Sequence, residues 1–215
     1  MKISNIIAFI AFAIISSISN INAEELPESQ KALRQCFDIF RFGDRPKAFE
    51  PCKKALALGE MVTNYTLGFL YRDRNELKNS FNHFKTACDD LPYDFIYAPF
   101  KNVSCFEVAR SYQKGAGVEQ NPSKYLEYIE KSCRYENATA CAEAGANYEN
   151  GQINGQNYDL AYYYYKRTEF YADIESLEHH SQVFLGFHTD EELIKFAKER
   201  IQEILPKLSA RVLPH

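Results

Sequence analysis

Tryptophan is absent from this 215-residue sequence, and only 2 methionines, 9 glycines and 8 prolines occur. So few glycines and prolines exclude a low-complexity chain, and 14% aromatic residues exclude one too polar to build a core. Basic residues are not in excess: 25 Lys and Arg stand against 29 Asp and Glu, a net charge of −4. A nucleic-acid binder ordinarily carries a strongly basic face, so no nucleic-acid partner is expected. There is no P-loop, GxGxxG, GxSxG or CxxC, which removes the usual signatures of nucleotide binding, α/β-hydrolase chemistry, zinc ribbons and thioredoxin-type redox sites. The length suits one globular domain with a full core.

One long apolar run exists, Ile6 to Ile15, behind the positive Lys2. A polar stretch follows and ends at Ala23, before Glu24 and Glu25. This is the pattern of a cleaved signal peptide at 1–23, and the run is short for a bilayer span. The mature chain is then expected to be exported, periplasmic or secreted, with no transmembrane span. Its six cysteines, Cys36, Cys52, Cys88, Cys105, Cys133 and Cys141, form an even set. In an exported chain they read as three disulfides rather than metal ligands, and spacing alone leaves the connectivity open.

The chain repeats with a period of 36 residues. Cys105, Tyr112 and Gly115 recur as Cys141, Tyr148 and Gly151; Leu67–Tyr71 and Cys36–Gly43 align upstream. Each block precedes a second stretch with apolar pairs at i, i+3: Phe49/Cys52, Phe81/Phe84, Leu126/Ile129 and Tyr162/Tyr165. Such pairs share one face of a helix. Each unit is therefore a helix A and an antiparallel helix B. Asn121-Pro122 should cap and open a B helix, and Gly115 and Gly151 should end A helices. Pro46 should open the first B helix, with Pro51 kinking it. Units of this size stack, so the expected fold is all-α, a right-handed superhelical solenoid.

The run GAGVEQNPSKYLEYIEKSC at 115–133, with Ala-Arg-Ser-Tyr112 before it, resembles the Sel-one-like repeat (SLR), a relative of the tetratricopeptide repeat. The C-x7-C from Cys133 to Cys141 resembles the Helicobacter cysteine-rich protein branch. The likeness is best over 103–171 and covers roughly two thirds of the chain, taken as a repeat array. It implies bridges from each B helix to the next A helix, Cys133–Cys141 and Cys88–Cys105, the latter around a nine-residue insertion. The first junction departs from this pattern, with Leu56 and Asn64 at its cysteine positions, so Cys36 and Cys52 are expected to join the first hairpin internally. The expected organisation is a solenoid of about four helix pairs at 24–173, and a linker with a capping helix at 174–215. Thr189 to Glu192 reads as that helix's capping box, Leu193 to Leu208 supplies its apolar face, and Pro206 should bend or end it.

Two irregular segments are the binding candidates. Residues 89–104 hold Tyr93, Phe95, Ile96, Tyr97 and Phe100, which either contact a partner or cover the stack. Residues 158–171 hold six tyrosines. Tyr158, Tyr162 and Tyr165 share one stripe, while Tyr163 and Tyr164 point elsewhere and are binding candidates. The partner expected is a protein or peptide, for a monomeric periplasmic scaffold, secreted host-interaction factor or toxin-immunity protein. The alternative implied by resemblance is a weak β-lactamase, penicillin-binding or peptidoglycan-fragment enzyme. Ser111-x-x-Lys114 matches S-x-x-K, but S-D-N and K-T-G are missing, and no catalytic residue is assigned. His179, His180 and His188 lack zinc-like spacing, so neither metal nor cofactor is expected. Asn64, Asn102 and Asn137 begin sequons that chance explains, Asn64 at a buried-type position.

Overall fold

A computed structural model describes residues 26–94, 96–175 and 190–209. Residues 1–23, expected to be a signal peptide, lie outside these residues, as do Phe95, the three linker histidines and Thr189. Every regular element among them is helical. The chain forms two compact units, residues up to Thr63 and residues from Asn64 onward.

The first unit is one helix pair. Helix α1 (Glu28–Phe42) ends at Gly43, and a 3-10 turn (Arg45–Ala48) leads into α2 (Phe49–Ala57). Pro46 opens the 3-10 turn, so the helix itself starts later than Pro46 suggests. Pro51 thereby falls in the first turn of α2, where proline is tolerated. Cys36 and Cys52 are bonded across the pair and both are fully buried, and Ala32, Ala48 and Ala55 are buried too.

The second unit holds three more pairs and a terminal helix. These are α3 (Thr63–Asp73) with α4 (Leu77–Asp90), α5 (Ala98–Lys114) with α6 (Pro122–Arg134), α7 (Ala138–Asn150) with α8 (Tyr158–Glu175), and α9 (Asp190–Ile204). The Cys88–Cys105 and Cys133–Cys141 bridges tie α4 to α5 and α6 to α7. The fold is thus all-α: the second unit is a solenoid of antiparallel pairs with two of the three disulfides and a C-terminal helix, and the first is a single pair with its own disulfide. Gly115 and Gly151 stop α5 and α7 with φ of +71° and +67°, the left-handed conformation that favours glycine. The Asn121 side chain accepts from Lys124 N, with Pro122 opening α6.

Within a pair, small residues on A face large ones on B. A Cβ on Gly68 would stand 2.6 Å from the Phe84 ring, and one on Gly145 would stand 2.7 Å from Tyr165. The same two repeat positions in the middle pair hold Ala109 and Ile129, both fully buried. Between pairs, Phe81 meets Tyr112 edge-on at 5.4 Å.

Ion pairs join successive A helices. Arg72 donates to Glu107 at 2.9 Å, and Arg110 pairs with Glu143, both nearly buried. Burial pushes the Glu143 carboxyl up, against the pull of Arg110 and the Tyr125 hydroxyl, which donates to it at 2.8 Å. Helix α9 packs on α8 and α7: Leu193 joins Ala138, Ala142 and Ala172, while Arg200 grips Glu149. The chain ends α9 in a 3-10 turn at Leu205–Lys207, where Pro206 falls. Ser209 then donates to Asp159 at the start of α8.

Candidate binding surface

The segment between Cys88 and Cys105 is not all loop. Asp94 accepts hydrogen bonds from Ile96 N and Tyr97 N, and this turn feeds α5 at Ala98, with Pro99 in its first turn. Residues 98–104 are therefore helical, since proline is tolerated there. Lys101 is buried and donates to the Leu91 carbonyl at 2.6 Å and the Asp89 carbonyl at 3.3 Å. It caps the end of α4, whose last carbonyls lack helical partners. Burial, then the nearby Lys131 charge, lowers its pKa. Phe100 is half-buried, edge-on to Tyr65 at 5.1 Å. Tyr97 is half-buried, while Tyr93 and Ile96 are more than half exposed.

Tyr93 leans across to the turn between α6 and α7. Its ring lies 5.0 Å from that of Tyr135, and its hydroxyl donates to Glu136 at 3.1 Å. Glu136 sits at φ +75°, a left-handed conformation uncommon for glutamate. Burial and Glu136 raise the Tyr93 phenol, which also feels Tyr171 and Arg167.

That last pair belongs to α8. Tyr163, Arg167, Phe170 and Tyr171 follow i, i+4, i+7, i+8 spacing and so share one helical stripe. The Arg167 guanidinium lies 5.5 Å from the Tyr163 ring centre and 4.9 Å from that of Tyr171. It donates to the Tyr163 hydroxyl at 3.1 Å and to the Cys133 carbonyl at 3.2 Å. Tyr163 is 48% exposed and Phe170 63%. Arg167 thus ties Tyr163 to Tyr171 on α8, while Tyr93, from the separate insertion, contacts the turn at Tyr135 and Glu136 and feels Tyr171 and Arg167 only electrostatically. Tyr164 does not join them. It is buried and stacked on Tyr148 at 5.7 Å, because the covered face of α8 includes Ala161, Tyr164, Tyr165, Thr168 and Ala172 and is wider than one stripe. Arg167 and Phe170 escaped sequence reasoning; the i, i+4, i+7 spacing from Tyr163 was the available signal.

Other residues fall in structural positions. The Ser111 hydroxyl donates to the Glu107 carbonyl one turn back, at 2.9 Å. Asn64 is buried, within 2.8 Å of His83, which stacks on Tyr71; burial lowers the His83 pKa. Asn137 caps α7. Among the described residues, no group of three or more His, Cys, Asp or Glu is arranged to hold a metal ion. No helix among them is long and apolar enough to cross a membrane.

Solved structures share this architecture. The uropathogenic Escherichia coli protective antigen c5321, which displays an SLR fold, aligns at 15% identity with a TM-score of 0.52. The alignment covers 87% of this chain and 42% of that one, so this chain spans less than half of its length. A Sel1 repeat protein from Oxalobacter formigenes aligns at 14% identity with a TM-score of 0.54, over 86% of this chain and 73% of that one. No family model and no curated protein matches the sequence. At these identities the likeness is one of fold: the chain has the helix-pair architecture of Sel1-type repeat proteins.

Proposed function

We propose that this chain is an exported, disulfide-stapled repeat protein that holds another protein or peptide against the aromatic surface around Arg167. The exposed stripe of Tyr163 and Phe170 carries the reading, and Tyr93 is exposed as well. Tyrosine and arginine are enriched at binding hot spots, and a group of exposed aromatics on an otherwise packed helix marks an interaction surface. Three disulfides and the leader-like 1–23 segment support export. The bridges from B helix to next A helix support kinship with the cysteine-rich branch of these repeats. A monomer built this way suits a scaffold, a host-interaction factor or an immunity protein.

Two measurements test this. N-terminal sequencing of the mature protein from its own cells should begin at Glu24. A photo-reactive side chain in place of Phe170 should yield one discrete protein adduct there, absent when the group replaces the exposed Glu119. Equal adducts at both positions, or none at Phe170, would sink the assignment of the surface.

A further inference from the structure

The most exposed large apolar side chain among the described residues is Phe42, at 80%. It stands at the end of α1, where the chain turns through Gly43 into the 3-10 segment. The turn around it is basic. Residues 41–47 carry Arg41, Arg45 and Lys47 against Asp44 alone, a net +2 within a chain of net −4. Asp44 lies 3.2 Å from Lys47. Arg41 is exposed and stays 5.3 Å over the Phe42 ring; Arg45 lies 4.3 Å over Phe40.

We infer that this turn docks on an anionic lipid surface, with Phe42 entering the interface and the surrounding cations meeting headgroup phosphates. The charge is complementary to such a surface and opposite to that of the rest of the chain. The shape also favours lipid. Phe42 protrudes from its turn, and a fluid interface accepts a protruding ring where a protein partner needs a matching pocket. An aromatic with adjacent Lys or Arg is the usual composition of interfacial anchors. The association is weak and salt-sensitive, as one ring and about two net charges imply.

The absence of tryptophan makes the test clean. Phe42→Trp places a single indole at the turn of the otherwise native protein. With vesicles of phosphatidylcholine containing about 30% phosphatidylglycerol at low salt, its emission should shift to the blue and be quenched by brominated acyl chains. Pure phosphatidylcholine vesicles should leave it nearly unchanged. Adding Arg41→Gln should weaken the anionic-vesicle response roughly five-fold, the effect of one basic residue near the surface. In sedimentation with the same vesicles, Phe42→Ser should reduce the bound fraction of the tryptophan-free protein. Circular dichroism should show each variant folded, since both side chains are exposed. An unshifted, unquenched emission on anionic vesicles overturns the inference. So does a shift that appears only when a purified acidic protein is added, which assigns the turn to a protein partner.

Discussion

Replacing Gly145 by alanine should have opposite effects in two backgrounds. In the native chain an added Cβ would meet Tyr165 ring atoms at 2.7, 2.8 and 3.1 Å, all inside ordinary contact. Tyr165 is fully buried, packs edge-on against Phe196 and donates to Glu149 at 2.8 Å, so its ring has little freedom to withdraw. Overpacking of this kind costs about 1–3 kcal/mol. Alanine in a helix interior recovers about 1 kcal/mol relative to glycine. Gly145→Ala should therefore destabilise the native chain by up to about 2 kcal/mol, the difference of those two terms. With Tyr165→Ile already present, the pair becomes Ala and Ile, the combination found at Ala109 and Ile129. The clash is then gone, and Gly145→Ala should stabilise by about 1 kcal/mol. The assay is urea unfolding followed by helical circular dichroism, with midpoints compared at constant slope. The double cycle should give a coupling well above 0.5 kcal/mol, the limit for independent sites. The same sign of effect in both backgrounds would refute the small-against-large account of pair packing.

Other expectations concern single groups. Burial raises Glu149, but hydrogen bonds from Arg200 and Tyr165 outweigh it and hold the carboxyl below its ordinary 4.5. A lowered carboxylate pKa contributes stability above the unfolded value, and that stability is lost as pH falls through the folded value. Acid titration of α9 docking, followed by proteolysis between α8 and α9, should show loosening below about pH 4.5 that Glu149→Gln removes. Lys101→Met should leave the Leu91 and Asp89 carbonyls without their buried donor and cost about 1–3 kcal/mol in thermal or urea unfolding.

The helix pairs were legible because the repeat writes the same contacts at a fixed spacing. Cys105, Tyr112 and Gly115 recur 36 residues on, and each has the same structural role in both places. Capping by Asn121 and the two left-handed glycines follow from local chemistry and were equally readable. The insertion is irregular only in its first part, because residues 98–104 belong to α5, with Pro99 in the first turn, where proline is harmless. Lys101 was overlooked because burial of a lysine depends on two carbonyls ten and twelve residues back, which no local pattern reports. The A-to-A ion pairs left one trace, Glu107 and Glu143 spaced by the repeat period, but their arginines do not keep that spacing. Tyr163 was readable as a surface candidate; the contact of Tyr93 with Tyr135 and Glu136 arises only when the insertion crosses to the next inter-pair turn.

The central claim is that the Tyr163, Phe170 and Tyr93 surface binds a partner without supporting the fold. The most direct measurement is the affinity of the partner captured at Phe170 for Tyr163→Ser and Phe170→Ser, taken with the melting temperature of each variant. Affinity should fall by more than about 2 kcal/mol, roughly thirty-fold, while the melting temperature barely moves. Unchanged affinity, or a loss that only follows unfolding, would contradict the account.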